Sequence, residues 1–166
     1  VLFVIDDNDR LYLHRFYRYE VRLAQRLKAL KDHRYSLEDE AFHLDLLFKS
    51  LKNEHGVDMQ ALAVAVAQTS ALTVISGGPG TGKTWTVVKI LEALLLREPA
   101  LRIAMCAPTG KAAARMSESV RNSLRGVTES IRARIPTKAQ TVHRLLRQAD
   151  PLPYDVVVLD EASMVS

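Results

Sequence analysis

The chain has 166 residues, of which 48% are hydrophobic and 25% are charged, and this suits one globular domain with a real core, alone or with a small appendage. No apolar run is long enough to span a bilayer and no signal-peptide pattern is recognisable, so we expect no membrane partner. The net charge is +4, and the single cysteine, Cys106, lies in an apolar stretch, which favours a buried thiol in a reducing, cytoplasmic setting.

Residues 1–55 are predicted to form a small helical N-terminal region. Apolar residues at helical spacing predict an amphipathic helix over 11–30. Ser36 opens a variant of the capping box, which predicts a second helix over 36–51. The stretch 12–19 mixes aromatic and basic residues, and this composition suits either a core or a protein interface.

From residue 56 onward, the pattern changes to alternating helices and strands. We expect helices over 58–68, 82–97 and 110–124, and strands over 71–76, 101–108 and 154–160. Such alternation with continuously apolar strands predicts an α/β fold whose parallel sheet is buried on both faces. The pattern assigns no element to residues 126–139.

A glycine-rich loop, "GGPGTGKT", lies between the first of these strands and the helix that follows it. Its spacing matches a phosphate-binding P-loop, and a strand before and a helix after are the context that the motif requires. The loop residues are Gly77, Gly78, Pro79, Gly80, Thr81, Gly82, Lys83 and Thr84. The glycines leave room for backbone N–H groups to face a phosphate, Lys83 reaches the terminal phosphates of ATP, and the Thr84 hydroxyl binds Mg²⁺.

The positive charge is concentrated between Arg102 and Arg147. This stretch holds ten lysines or arginines and two glutamates. Such a run is commonly a solvated helical face, but beside an ATP site it indicates a nucleic-acid backbone as the partner, because Lys and Arg make most phosphate contacts.

Two adjacent acids follow the last apolar strand, in "VVVLDEAS". Ligands of open α/β sheets bind at the carboxyl ends of the strands, so Asp160 and Glu161 are expected beside the P-loop. We assign Asp160 to Mg²⁺ and Glu161 to the water that attacks the γ-phosphate.

Four motifs in this order, "GGPGTGKT", "APTGKAA", "TVHRLL" and "VVLDEASM", resemble the first motifs of superfamily 1 helicases, and most closely those of the RecD family of exonuclease V subunits. The stretch "LYLHRFYRYE" is also similar to the N-terminal region of that family, so the resemblance covers nearly the whole chain. It implies a RecA-like ATPase domain over 56–166, cut after the Asp-Glu motif. It also implies a partner-binding region over 1–55 that docks to other subunits of an exonuclease V type complex.

The resemblance also assigns individual residues. Gln60 takes the place of the glutamine that reads adenine, and a glutamine amide can both donate to and accept from the edge of that base. Gln68 is a rival candidate for this role.

For single-stranded DNA, the resemblance points to "APTGKAAARM" and "TVHRLL". Helix-end N–H groups and a hydroxyl suit a phosphate. The residues assigned to DNA are Pro108, Thr109, Gly110, Lys111, Arg115, Thr141 and His143.

The family's later motifs, including its transition-state arginines, are not found in these 166 residues, so we expect this chain alone to hydrolyse ATP poorly. As part of a larger protein, the resemblance implies a 5′ to 3′ ATP-dependent DNA helicase. Three alternatives are an RNA-directed superfamily 1 helicase, a nucleotide-binding regulatory or assembly module, and a P-loop kinase of small molecules.

Overall fold

The computed structural model describes residues 2–35, 58–78 and 80–165. The chain opens with two short antiparallel strands, β1 (Phe3–Ile5) and β2 (Leu11–Leu13), with Phe3 opposite Leu13 and Ile5 opposite Leu11. The Asp6 carboxylate accepts hydrogen bonds from the backbone N–H groups of Asn8 and Arg10, and so closes the turn between the strands.

Helix α1 (His14–Asp32) follows β2 directly. The expectation of a helix beginning at residue 11 was therefore wrong for its first three residues, which pair with β1 because their backbone groups find partners there. Residues 2–35 of the predicted helical region therefore hold a hairpin as well as a helix. The helix predicted over 36–51 lies outside the described residues.

Helices α2 (Met59–Thr69) and α3 (Lys83–Arg97) pack against each other. Asp58 begins α2 because its carboxylate accepts hydrogen bonds from the backbone N–H groups of Gln60 and Ala61. Val64 of α2 is buried with Ile90 and Leu94 of α3, and this apolar contact holds the two helices together.

The segment 71–76, between these two helices, was predicted to be a strand, and the structure corrects this expectation. Its residues make no ladder with another described strand, and the Val74 side chain is 81% exposed. A β-branched sequence favours an extended chain, but a strand forms only where a neighbouring backbone accepts its hydrogen bonds.

The sheet has three parallel strands in the order β4-β3-β5. They are β3 (Ile103–Ala107), β4 (Gln140–Thr141) and β5 (Val156–Leu159). Ile103 aligns with Val156 and Cys106 with Leu159, while Ala107 aligns with Thr141. Between β3 and β4 lie α4 (Gly110–Ser123), a 3-10 turn (Leu124–Gly126) and α5 (Glu129–Arg132), and α6 (Val142–Leu146) follows β4.

The core lies between the sheet and helices α3 and α4. Val88, Leu91 and Leu95 of α3 and Val120 of α4 are buried there against Met105 of β3. A smaller cluster on the other face joins Ala104 and Cys106 to Leu145 of α6. All five residues of β3 are buried, whereas β5 alternates, so the expectation of strands buried on both faces is met by β3 and not by β5.

The segment 126–139, to which the sequence pattern assigned no element, contains α5 and is fixed by buried side chains. Val127, Ile131 and Ile135 contribute to the core, and the Ser117 hydroxyl of α4 accepts a hydrogen bond of 2.9 Å from the Ala139 backbone N–H. The fold is the predicted α/β class, with helices flanking a parallel sheet. Within the part of the chain that the structure describes, no helix is both long and apolar enough to cross a membrane.

Candidate functional site

The P-loop wraps around the side chain of Lys83, which is the first residue of α3. The Lys83 ammonium donates hydrogen bonds to the backbone carbonyls of Gly77 at 2.6 Å and Gly78 at 2.9 Å. The Thr81 hydroxyl donates to the same Gly78 carbonyl at 2.9 Å. Pro79 lies outside the described residues. The loop thus holds Lys83 by carbonyl groups, which are weaker partners for an ammonium than phosphate oxygens.

Gly82 is the point at which the loop meets α3, and its backbone conformation favours glycine. Its φ of +79° lies in the left-handed region, and a Cβ at this position would stand 2.8 Å from the Gln60 side-chain nitrogen. Gly80 also has a positive φ, of +76°. Both glycines of this part of the motif therefore occupy positions with a left-handed backbone, which glycine adopts without strain.

Gln60 lies against this loop, and its amide nitrogen donates a hydrogen bond of 3.4 Å to the Thr81 carbonyl. Gln68 is buried near the other end of α2, where its backbone carbonyl accepts a hydrogen bond from Arg97. The geometry thus brings Gln60, and not its rival, to the P-loop. A role in reading adenine stays a prediction.

Asp160 and Glu161 emerge where β5 ends. The Asp160 backbone N–H donates to the Cys106 carbonyl at 3.0 Å, and the Asp160 carboxylate accepts from the Glu161 backbone N–H at 2.9 Å. Glu161 has a left-handed φ of 53°, which is uncommon for a residue with a side chain. The chain therefore turns sharply between the two acids.

One cleft of about 1010 Å³ brings the two halves of the site together. Lys83 and Thr84 line it from α3, and Asp160 and Glu161 line it from the end of β5. A hydroxyl and a carboxylate are oxygen ligands of the kind that Mg²⁺ uses beside phosphates. The donor set fits a nucleotide with magnesium, as the sequence predicted.

The residues assigned to DNA separate into two groups. Thr109 caps α4 by accepting a 3.2 Å hydrogen bond from the Ala112 N–H, and Thr141 caps α6 by accepting one of 3.2 Å from the Arg144 N–H. Because β3 and β4 are parallel neighbours, both threonines lie at one edge of the sheet. Pro108, Gly110, Lys111 and His143 adjoin them in the chain, and the last three are exposed.

Arg115 is the member that the structure places elsewhere. It lines the cleft together with Lys83 and Thr84. The sequence motif gave no sign of this position, because it shows only that Arg115 follows Thr109 by six residues on one helix.

Sequence reasoning also missed the ion pair that aligns β3 with β5. The Arg102 guanidinium donates to both oxygens of the Asp155 carboxylate, at 3.0 Å each, and the Arg102 N–H donates to the same group at 2.8 Å. These hydrogen bonds lower the pKa of Asp155 to about 2. Arg102 and Asp155 each stand one residue before a strand in the sequence, and this matching position is the signal from which the ion pair could have been predicted.

Comparisons with known proteins agree with the motifs. An AAA domain family matches residues 60–166. The RecBCD enzyme subunit RecD of Mycobacterium tuberculosis is 41% identical over 184 residues, covering 100% of this chain and 30% of that protein. The RecBCD enzyme subunit RecD of Haemophilus influenzae is 38% identical over 179 residues, covering 93% of this chain and 27% of that protein.

A third relative, the ATP-dependent RecD2 DNA helicase of Deinococcus radiodurans, is 38% identical over 103 residues, which are 57% of this chain and 12% of that protein. The chain thus spans less than a third of the length of each of these three relatives. The resemblance to RecD that the four motifs indicated is confirmed. The whole length of this chain is similar to part of RecD. Because the AAA domain family matches most of the chain, and the fold and the P-loop agree with it, the chain belongs to the AAA domain family.

Proposed function

We propose that the chain is the ATP-binding part of an ATP-hydrolysing DNA helicase subunit of the exonuclease V type. The observation that carries this proposal is that the same cleft is lined by Lys83, Thr84, Asp160 and Glu161. The names of the relatives, RecBCD enzyme subunit RecD and ATP-dependent RecD2 DNA helicase, support the same activity. A cytoplasmic location stays a prediction.

Each residue of the cleft has a distinct part in this proposal. Lys83, now bonded to two carbonyls, would bind the terminal phosphates, and the Thr84 hydroxyl and Asp160 carboxylate would hold magnesium. Magnesium supplies charge neutralisation on the phosphate oxygens. Glu161 orients the attacking water and accepts its proton, and the sharp turn after Asp160 sets the direction of its side chain.

Nucleotide titration of the Lys83→Ala variant tests the proposal. We expect wild type to bind ATP and ADP in the presence of magnesium, and Lys83→Ala to lose this binding while its melting temperature is kept, because Lys83 is bonded only to the loop. Lys89→Ala is the matched control, since Lys89 lies on the same helix and is paired with Glu92. Equal nucleotide affinity of wild type and Lys83→Ala, measured by calorimetry, would remove the assignment.

We propose that the edge formed by Thr109, Gly110, Lys111 and Thr141 holds the backbone of single-stranded DNA. A Cβ built on Gly110 meets nothing within 4 Å, so a phosphate can approach the N-terminus of α4 closely. Such contacts carry no base information, which suits movement along any sequence. The 5′ to 3′ direction is implied by the family resemblance.

Fluorescence anisotropy of a labelled oligonucleotide across a salt series tests this edge. We expect weak binding that falls with salt and is lowered further by Thr109→Ala with Lys111→Ala, because both remove phosphate contacts. Thr109→Ser keeps the capping hydroxyl and is expected to bind as wild type, and Lys28→Ala on α1 controls for lost charge. Binding that ignores salt, or that the double variant retains, would contradict the proposal.

We propose that α1 docks to another subunit of the complex. Six basic and two acidic residues accompany an apolar stripe on this helix, so the matching surface is apolar with an acidic border. The stripe comprises Phe16, Tyr19, Leu23, Leu27 and Leu30, all of them exposed by more than 40%.

A further inference from the structure

We propose that Arg115 binds the polyphosphate of the nucleotide, and is not one of the DNA contacts that its motif suggests. This inference rests on the proposed nucleotide binding and adds a residue to that same site. It starts from the position of Arg115 on the wall of the cleft that Lys83, Thr84, Asp160 and Glu161 also line.

The packing of α4 fixes this position. Met116 and Val120 are buried in the core shared with Val88 and Leu91 of α3, so the rotation of α4 about its own axis is set by apolar contacts. Arg115 precedes the buried Met116, and Ser119, one helical turn further on, lines the same cleft. The cleft-facing side of α4 is therefore a defined surface that continues for at least one turn.

The same helix separates Arg115 from the DNA edge. Arg115 lies five residues beyond Gly110, which corresponds to about 7.5 Å along the helix axis. Gly110 and Lys111 lie at the end of α4 that adjoins Thr141, whereas Arg115, which is also exposed, lines the cleft. Two successive parts of one motif thus meet different ligands.

The Arg115 guanidinium is available for such a ligand. Across residues 2–35, 58–78 and 80–165, it makes no hydrogen bond or ion pair. Three other arginines between residues 102 and 147 are engaged: Arg102 with Asp155, Arg121 with the Thr137 carbonyl, and Arg132 with Glu129. An unpaired guanidinium on a concave wall is suited to phosphate oxygens, which it can bind through two N–H groups at once.

The charge balance of the site points the same way. The charged residues that line the cleft include the acids Asp160 and Glu161 and the cations Lys83 and Arg115. Beside the magnesium that Thr84 and Asp160 would hold, Arg115 adds one more positive charge to a cleft that has to bind a negatively charged nucleotide. Arg115 contributes this charge from α4, an element separate from the glycine loop and from β5.

The test compares nucleotide and DNA affinity in one set of variants. Arg115→Gln removes the charge, Arg115→Lys keeps it, and Arg125→Gln removes an exposed arginine that does not line the cleft. We expect Arg115→Gln to weaken ATP and ADP binding about tenfold in calorimetry, the loss typical of a charged hydrogen bond. Arg115→Lys is expected to lose less, Arg125→Gln to bind nucleotide as wild type, and the oligonucleotide affinity of Arg115→Gln to stay within about twofold of wild type.

Each other outcome overturns the inference. Unchanged nucleotide affinity with weakened DNA binding would return Arg115 to the DNA motif. Equal losses in Arg115→Gln and Arg115→Lys with a lower melting temperature would show a structural role. The proposed function fails separately, when the wild-type chain binds nucleotide no better than Lys83→Ala.

Discussion

At the scale of single residues, the ion pair between Arg102 and Asp155 ties the starts of β3 and β5 together. The Asp155 and Val156 backbone N–H groups both donate to the Arg102 carbonyl, at 2.9 Å and 3.1 Å, so the side-chain pair reinforces a backbone contact. The side chains are 60% and 38% exposed, and water therefore screens much of their attraction. The pair sets strand register more than it adds to global stability.

The lowered pKa of Asp155 gives a pH prediction. Its folded value of about 2 lies below the ordinary value of about 3.9, so the carboxylate favours folding above that ordinary pKa. This contribution is lost as the pH falls from about 4 to about 2. We expect Asp155→Asn to be less stable than wild type at neutral pH and equally stable near pH 2, as measured by urea unfolding. A constant difference between the two proteins across this range would contradict the assignment.

At the scale of elements, the segment 71–76 and strand β5 form an incomplete pair. Within the described residues, β5 has a ladder with β3 alone, and its side chains Val157 and Leu159 are 47% and 40% exposed. The Thr73 hydroxyl, which lines the cleft beside β5, is buried without a hydrogen-bond partner among the described residues. The backbone of 71–76 and the outer side of β5 have no ladder partner among the described residues, so a shared ladder would satisfy both.

We expect nucleotide to complete this pair. A nucleotide bound by Lys83 and Asp160 together would keep the P-loop beside the end of β5, and the β-branched residues 73–75 suit a strand. Hydrogen exchange followed by mass spectrometry should show slower exchange in peptides covering 72–76 and 157–160 when ADP and magnesium are added. Lys83→Ala should show no such change. Identical exchange in wild type with and without nucleotide would rule out the pairing.

At the scale of the whole molecule, the later helices and the sheet share a buried core, whereas α1 has no buried residue. All 19 residues of α1 are at least partly exposed, whereas α3 buries seven of its 15. The link from α1 to the later elements includes the Arg34–Ser70 bridge and a hydrogen bond of 2.9 Å from the Tyr35 N–H to the Thr69 carbonyl. Substitutions on α1 should therefore affect partner binding more than folding.

The apolar stripe of α1 provides the corresponding prediction. We expect Phe16→Ser with Leu23→Ser to leave the melting temperature of the chain within about 2 °C of wild type, because substitutions at exposed sites cost little. The same variant should reduce co-purification with the other subunits of the exonuclease V type complex when they are co-expressed. Gln25→Ser, on the same helix but outside the stripe, is the control. A large fall in melting temperature would show that the stripe is part of the core, and undiminished co-purification would show that partners bind elsewhere.

The sequence by itself determined the elements whose cause is local. The extents of α2, α3 and α4 were predicted to within one or two residues, because Asp58, Gly82 and Thr109 provide their N-terminal caps within the local sequence. The P-loop was recognisable for a similar reason, because Gly80 and Gly82 are required by the local backbone conformation of the loop.

Only the tertiary structure decided the features that depend on a distant partner. The segment 71–76 has the sequence of a strand, but no described strand pairs with it. Residues 11–13 have a helical pattern, but they pair with β1 as a strand. Gln60, and not Gln68, donates a hydrogen bond to the Thr81 carbonyl. Arg115 lines the cleft because Met116 is buried in the core that α4 shares with α3 and β3. Hydrogen-bond partners and buried faces are supplied by other elements of the chain, so no local pattern contains them.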